Sequence, residues 1–324
     1  MILKEETEMA TIGVGSRRLR AKALRGLCLF LCFGLLSACK TSDDAKAAAS
    51  QMATTAQDLV AYYSALATVM ENTIKLEQLQ SALLGTTFEA QDLAQLQQTE
   101  EEIQKRSNLA KSLQSLSAGL TKLTGSTAAT DVSTAANKLG TELVTIKELP
   151  KGPPLPAALG EAGQAITRLA QEHDERKAAA LMDGTITAVS KMFTAEKPVC
   201  QSLYTTYFVL ADSLAEESIK RNWVEETGLL TPALQPFGLS PAAVTPAAGT
   251  PAQDLSTVLS KYAQQQLATQ AAAQEAAQQK ASEGMDQALQ EMQKRIHALA
   301  TGSAMPSRGS PVSLADVEAW VSKL

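Results

Sequence analysis

The stretch LAKSLQSLSAGLTKL, residues 109–123, decides the fold class because its leucines recur in alternating steps of four and three. The five leucines are Leu109, Leu113, Leu116, Leu120 and Leu123. This spacing keeps an apolar seam on one face of an α-helix, and such a seam favours near-parallel packing against other helices. We therefore predict an all-α fold, an elongated antiparallel bundle of about five to six long helices plus a short C-terminal helix.

The composition agrees with helices that pack through small and aliphatic side chains. Aromatic residues make up 4% of the chain, whereas alanine, leucine and glutamine are abundant. The formal net charge is −5 and the chain contains no basic block outside its N-terminal run. Because affinity for nucleic acid comes mainly from Lys and Arg contacts with phosphates, we expect no nucleic-acid partner.

The helix before the leucine seam is predicted from residues 43 to 84, which contain neither proline nor glycine. Its apolar positions recur at three- and four-residue steps: Leu59, Tyr63, Leu66, Met70 and Ile74. Gly85 is a natural helix stop. In Thr86-Thr87-Phe88-Glu89 the threonine and the glutamate three residues later fit a capping box, so a second helix is predicted to begin there and to run to about Thr124.

Two shorter helices are predicted after Gly125. The third helix is capped by Asp131 and has the apolar members Val132, Ala136, Leu139, Leu143 and Ile146. Residues 150–156 hold four prolines and are predicted to be a connector. Pro156 suits the first turn of the fourth helix, whose stripe is Leu159, Ala162, Ile166 and Leu169.

A further helical pattern covers residues 181–214. Its first part carries Leu181, Ile186, Val189, Met192 and Phe193, and Pro198 is predicted to break or kink it. Beyond the proline, one face carries Cys200, Leu203, Tyr207, Leu210 and Leu214, while Tyr204, Phe208 and Ala211 widen it. A helix that is apolar over much of its circumference is expected at the centre of a bundle, and Gly228 is its predicted end.

Residues 229–251 are rich in proline and are predicted to be a linker, with a ligand for a proline-binding partner as the less favoured alternative. Thr250-Pro251 resembles a cap followed by a first-turn proline, and a long helix is predicted to about Ala300. The middle of this helix is rich in alanine and glutamine and should pack through alanine. The last helix offers Val317, Trp320, Val321 and Leu324 to some surface.

Few residues in the sequence carry reactive chemistry. The histidines are His173 and His297, and neither has a carboxylate three residues before it, as the ligand sets of di-iron bundles require. His173 and Cys200 lie on apolar stripes, where packing is favoured over a ligand or nucleophile role. We therefore predict no catalytic residue, no metal and no cofactor. Trp223 and Trp320 are large amphipathic side chains near helix ends, where packing or an interface role is expected.

The N-terminal run has the pattern of a secretory signal. A basic segment holds Arg17, Arg18, Arg20, Lys22 and Arg25, and an apolar core of ten residues follows from Leu27 to Leu36. That core is shorter than the ~20 residues of a membrane-spanning helix. Met9 is an alternative start to Met1. The small residues Ser37 and Ala38 then lead to Cys39, so that cleavage is predicted between Ala38 and Cys39.

Leu36-Ser37-Ala38-Cys39 resembles the lipobox of bacterial lipoproteins, and the resemblance covers residues 1–39 only. It implies that a diacylglycerol is joined to the Cys39 sulfur and that the new amine is acylated, for example by palmitate. Two or three chains anchor a protein stably in a bilayer. Lys40 in the next position favours the outer membrane facing the periplasm, with the cell surface and the inner membrane as alternatives. An ordinary signal peptide with an incidental Cys39 is the other interpretation.

The predicted domain organisation follows from these boundaries. Residues 1–38 are the signal peptide, 39–50 the lipidated N-terminus and tether, 51–228 the helical bundle, 229–251 the linker and 252–324 the long and C-terminal helices. The leading hypothesis for function is a non-enzymatic envelope lipoprotein with a structural or protein-interaction role and an envelope protein as its partner. The alternative is a bundle that binds a small apolar or amphipathic ligand, and an enzyme without a local motif is the least favoured hypothesis.

Overall fold

The computed structural model describes residues 12–87, 89–121, 128–150, 152–172, 175–221, 236, 252–306, 317 and 320. These residues form six helices and contain no β-strand, which confirms the prediction of an all-α helical bundle. The helices are α1 (Ile12–Leu84), α2 (Ala90–Thr121), α3 (Ala128–Thr145), α4 (Ala158–Glu172), α5 (Glu175–Lys220) and α6 (Ala252–Thr301).

The chain divides into two compact units, Met1–Ala48 and Ala49–Leu324. In the first unit the described residues belong to α1. The stretch 39–50, predicted to be the lipidated N-terminus and tether, is helical and extends two residues into the second unit. The second unit contains the remainder of α1 and the other helices. There α3 packs on α2 and α4, and α5 packs on α4 and α6.

The end of α1 is a Schellman motif built on Gly85. Gly85 has a φ of 66°, and its N–H donates to the carbonyl of Ala82 while the N–H of Thr86 donates to the carbonyl of Ser81 at 2.9 Å. A positive φ suits glycine because it has no Cβ. The predicted helix stop is therefore confirmed, and Gly302, with a φ of 67°, ends α6 in the same conformation.

The predicted capping box at residues 86–89 is wrong. Helix α2 begins at Ala90, and the carbonyl of Glu89 accepts the N–H groups of Asp92 and Leu93 at 3.1 Å each. Glu89 is therefore the residue that precedes the helix and not its third residue. A capping box would also need the Thr86 N–H to donate to the Glu89 carboxylate, and that N–H is already used to end α1.

The core consists largely of the predicted apolar positions. Leu109, Leu113 and Leu116 of the seam are buried on α2, and Leu139, Leu143 and Ile146 are buried on α3 and just beyond it. On α4, Leu159 and Ile166 are buried, and the segment Gly152–Pro156 before this helix is not helical, as predicted. The structure describes neither the side chains of Leu120, Val132, Leu169 and Leu181 nor the residues Leu123 and Gly228.

A close approach of α3 and α4 depends on a glycine that the apolar pattern did not single out. A Cβ placed on Gly163 would lie 2.8 Å from the carbonyl oxygen of Gly140 and 2.9 Å from Cγ2 of Val144. Both distances are too short for a side-chain carbon, so these two helices can pack at this distance only with glycine at position 163.

Helix α5 differs from its prediction in two ways. It continues through the exposed Pro198, so that the break, one of the two predicted effects of this proline, does not occur, while the predicted kink stays a prediction. It is also less enclosed than expected, because Cys200, Tyr204, Leu210 and Leu214 are buried whereas Val209 is 64% exposed. The long helix from residue 252 is confirmed with bounds within one residue of those predicted.

Candidate functional site

Among the described residues, buried charged side chains form a hydrogen-bonded network around Arg106 of α2. The side chain of Arg106 is fully buried, and so are the carboxylates of Glu102 and Glu196. Glu102 lies one turn before Arg106 on α2, whereas Glu196 comes from α5. We call Glu102, Arg106, Lys147 and Glu196 the arginine network.

Every N–H group of the Arg106 guanidinium has an acceptor. Nε donates to Oε2 of Glu196 at 2.8 Å, and Nη2 donates to Oε1 of the same carboxylate. Nη2 also donates to the main-chain oxygen of Lys147 at 2.9 Å. Nη1 donates to the main-chain oxygen of Glu102 at 2.8 Å and to its Oε2 at 3.5 Å. Because arginine has five N–H donors, this side chain has no donor left for a ligand.

The network joins three parts of the fold. Oε2 of Glu102 accepts the main-chain N–H of Lys147 at 2.9 Å, so both main-chain groups of Lys147, just after α3, bond to α2 side chains. Oε1 of Glu102 lies 2.6 Å from Nζ of Lys105, whose side chain is partly exposed. Two carboxylates therefore face one guanidinium and one ammonium, and the formal charges balance. The arrangement fastens α2 to α5 and to the end of α3.

The electrostatics keep the arginine charged. Burial alone lowers the pKa of Arg106, but the hydrogen bonds and the negative charge of Glu196 raise this pKa more, so that the net shift is upward. A bidentate pair of this kind is geometrically specific as well as strong. Removal of one partner would leave the other as an uncompensated buried charge, which strongly lowers the free energy of unfolding.

Tyr63 and Cys200 lie beside this network and stay protonated. Burial raises the pKa of the Cys200 thiol to about 12, and the charge of Glu196 adds to the effect. Burial, followed by the charge of Glu196, also raises the pKa of Tyr63 well above its ordinary value. The thiolate is the nucleophilic form of cysteine. The position of Cys200 therefore corresponds to the packing role that its apolar stripe favoured.

A second buried polar group lies around Tyr62, whose ring centroid is 5.6 Å from that of Tyr63. The hydroxyl of Tyr62 lies 2.9 Å from Oγ of Ser282, and Nε2 of Gln278 donates to the Tyr62 hydroxyl at 3.2 Å and to Oγ of Ser282 at 3.1 Å. Tyr62 belongs to α1, whereas Gln278 and Ser282 belong to α6. This tyrosine triad joins α1 to α6 inside the core.

Several of the few aromatic side chains pack against one another around Tyr62. The ring of Tyr62 lies 5.3 Å from the rings of both Phe193 and Trp320, measured between centroids, and Trp320 lies 5.6 Å from Tyr204. Trp320 is fully buried, as is Val317. Of the two roles expected for Trp320, the structure shows packing inside the bundle.

The other residues singled out from the sequence do not meet at one site. His297 is exposed, and its Nδ1 lies 2.8 Å from Oδ2 of Asp183. His173 and Trp223 lie outside the described residues. Ala38 and Cys39 lie within α1 in the first unit, where the structure describes the backbone. Cleavage between them and lipidation of Cys39 stay predictions.

Arg106, Glu196 and Gln278, which help to connect helices through the core, were not singled out from the sequence. A signal was present on α2, since Arg106 lies on the apolar seam between the buried residues Ile103 and Leu109. A charge at a seam position indicates a buried partner. Its partner Glu196 is ninety residues away in the sequence, and that pairing is visible only in the folded protein.

Within the part of the chain that the structure describes, no group of three or more His, Cys, Asp or Glu side chains could hold a metal ion. A concavity of about 590 Å³ lies along α2 and is lined by polar residues: Gln97, Glu100, Glu101, Gln104, Lys105 and Asn108. Among the helices of the described residues, none combines the length and the hydropathy that a membrane span requires.

The chain matches no protein-family model, no curated protein and no solved structure.

Proposed function

We propose that the chain is a lipid-anchored protein of the bacterial cell envelope and that its helical bundle is a non-enzymatic module with a structural or protein-interaction role. The single observation that carries this proposal is the N-terminal sequence. A basic segment and a ten-residue apolar core end at Leu36-Ser37-Ala38-Cys39, where the cysteine stands at the expected cleavage site.

The anchor in this proposal is acylated Cys39 in a lipid bilayer. One acyl chain binds a membrane only marginally, whereas two or three chains hold a protein there stably. Lys40 after the cysteine favours the outer membrane and the periplasmic side over the alternatives of the cell surface and the inner membrane.

The interior of the bundle supports a non-enzymatic role. The guanidinium of Arg106 has all of its donors engaged inside the bundle, by Glu102 of its own helix and by Lys147 and Glu196 from other parts of the fold. The Cys200 thiol is buried and its pKa is raised to about 12. A general base, by contrast, works best with a pKa near the operating pH and within reach of a substrate. The surface of the bundle is then the part of the protein that meets a partner.

The anchor is tested by feeding cells an alkyne analogue of palmitate and detecting the label on the purified chain. We expect label on the wild type and on Cys32→Ser, which removes a cysteine from the apolar core of the signal, and no label on Cys39→Ser. An unlabelled wild type, or equal labelling of Cys39→Ser, would contradict the proposal.

The interaction role is tested by crosslinking in intact cells, followed by isolation of the chain from the envelope fraction. We expect an envelope protein to be recovered with the wild type, or the envelope of a deletion strain to be weakened. If no partner is retained and the deletion strain has normal envelope integrity, the interaction role is wrong even where the anchor is correct.

The ligand-binding alternative predicts an apolar cavity between helices. The concavity on α2 is lined by carboxamides, carboxylates and one ammonium group. This lining does not favour an apolar ligand.

A further inference from the structure

Helices α5 and α6 run antiparallel and are joined by a regular row of side-chain contacts. We call this row the polar ladder. Its four rungs are Asp183–His297 at 2.8 Å, Thr194–Asp286 at 2.8 Å, Thr205–Glu275 at 3.0 Å and Glu216–Gln264 at 2.7 Å. Each rung lies eleven residues beyond the previous one on α5 and eleven residues before it on α6.

The spacing has a simple geometric meaning. Eleven residues make three helical turns at about 3.67 residues per turn, so positions eleven apart lie on nearly the same face of a helix. The same spacing on both helices means that one register is kept over four rungs, roughly 50 Å of helix. A further bond between Gln293 and Thr187, at 2.9 Å, follows the same register.

Half of α6 has few other contacts that define its register, the main one being the hydrogen bond that the Tyr204 hydroxyl of α5 donates to Oε1 of Gln274 at 3.2 Å. Between Ala263 and Ala281, which are both buried, Gln278 is the only other buried residue on α6. Alanine side chains are alike, so their packing opposes a shift of one helix along the other only weakly. The next part of α6 differs because its buried residues include four large apolar side chains: Met285, Leu289, Met292 and Ile296.

The chemistry of the rungs distinguishes the correct register from shifted ones. Each rung pairs one carboxylate with a hydroxyl, a carboxamide or an imidazole. A shift by one repeat in one direction would place Asp183 against Asp286, and a shift in the other direction would place Glu216 against Glu275. Opposed carboxylates repel each other, which is how charged positions select one register in coiled coils.

We infer that the polar ladder is a conformational device that holds the Ala/Gln-rich half of α6 in one register against α5. In that register Gln278 and Ser282 are level with Tyr62 of α1, where they complete the buried tyrosine triad. The exposed rungs thereby determine which α6 residues enter the core. This inference rests on contacts of the second unit and is independent of the proposed function.

The register is tested with four double-cysteine variants of the full chain that reuse the same four positions. Two variants keep rung partners together, Thr194→Cys with Asp286→Cys and Thr205→Cys with Glu275→Cys. The other two exchange partners, Thr194→Cys with Glu275→Cys and Thr205→Cys with Asp286→Cys. The other cysteines are the same in all four variants. The thiols are joined with a bifunctional crosslinker whose span is shorter than the ~16 Å that separates neighbouring rungs.

We expect intramolecular crosslinking in the rung pairs and at least tenfold slower crosslinking in the exchanged pairs. Equal rates in both sets would overturn the assignment of one register.

The role of the rungs is tested by hydrogen exchange in the double variant Gln264→Ala with Glu275→Ala. We expect amide exchange in residues 264–277 to become about tenfold faster, while residues 285–296 keep their wild-type rates as an internal control. The variant Glu275→Gln keeps an acceptor for Thr205 and should stay close to the wild type. Unchanged exchange in the double variant would show that packing alone sets the register.

Discussion

The arginine network and the polar ladder both join helices through carboxylates. The arginine network is buried, whereas the polar ladder lies largely at the surface. The side chains of Arg106 and Glu196 are 0% and 2% exposed, whereas that of His297 in the ladder is 63% exposed. Water can replace a lost partner at an exposed rung and cannot do so in the core. The comparison teaches that the network contributes mainly stability, while the ladder contributes mainly register.

The largest effect is expected from breaking the arginine network on one side. Glu196→Ala leaves the Arg106 charge buried without its bidentate partner, and we expect the free energy of unfolding to fall by about 3–5 kcal/mol. Urea denaturation followed by circular dichroism measures this loss. The matched control is Glu71→Ala, which removes the exposed ion pair with Lys75 and should change stability by less than about 1 kcal/mol.

The same prediction is sharpened by replacing both partners. Arg106→Met with Glu196→Leu removes both charges together and should be more stable than Glu196→Ala alone, because no uncompensated charge stays in the core. If Glu196→Ala and Glu71→Ala have equal, small effects, the distinction between the dry network and the exposed contacts is wrong.

The next effect concerns high pH. Burial raises the pKa of the Cys200 thiol to about 12 in the folded protein, above the value of about 8.5 for a thiol in water. The unfolded chain therefore loses this proton first as the pH rises. The contribution of the protonated Cys200 thiol to the free energy of unfolding is fully present below pH ~8.5. It is lost towards pH ~12, with a slope of up to ~1.4 kcal/mol per pH unit.

The measurement is the free energy of unfolding of the wild type and of Cys200→Ala at several values between pH 8 and 11. The variant should lose stability less steeply with pH because one group that titrates differently in the two states is gone. Burial raises the pKa values of Tyr62 and Tyr63, and the Cys200 charge raises both of them further, so loss of that charge in the variant makes its pH dependence shallower in the same direction. Identical slopes would contradict the burial of this thiol beside Glu196.

A smaller loss is expected in the tyrosine triad, which is buried but uncharged. Tyr62→Phe keeps the ring contacts and removes the hydroxyl that meets Gln278 and Ser282. We expect a loss of about 1–2 kcal/mol in the free energy of unfolding. Tyr207→Phe, at a half-buried ring, is the control and should cost about 0.5 kcal/mol or less. A Tyr62→Phe value no larger than this control would contradict the burial of the triad.

The smallest stability change is expected at a single rung of the ladder. Thr205→Ala removes one exposed hydrogen bond to Glu275 and should lower the free energy of unfolding by about 0.5 kcal/mol. Denaturation in urea measures this value in parallel with Glu196→Ala. A loss as large as that of Glu196→Ala would contradict the division of roles between network and ladder.

Much of the fold follows from local rules in the sequence. The leucine seam, the stop at Gly85 and the proline-rich connector each depend on residues close together in the sequence. The structure confirms the seam at Leu109, Leu113 and Leu116 and also confirms the stop and the connector. The capping box failed because two motifs competed for the same residue: the N–H of Thr86 closes α1 and cannot also be part of a cap for α2. Local patterns do not show which of two overlapping motifs wins.

The candidate site could be predicted only in part. Arg106 on an apolar seam indicates a buried charge, but its acceptors on α5 and beyond α3 are brought near by tertiary packing. The eleven-residue ladder was equally hidden, because its period is visible only when α5 and α6 are laid side by side. The motif at Cys39 differs from these tertiary contacts because it is a short continuous stretch of sequence. It predicts where the protein resides in the cell and not how its helices pack.

The central functional claim is the lipid anchor, and intact-protein mass spectrometry of the chain extracted from cell membranes tests it most directly. The account predicts a mature chain that begins at Cys39 and carries a diacylglycerol on its sulfur and an acyl group on its amine. A membrane-derived chain that begins at another residue, or that begins at an unmodified Cys39, would contradict it.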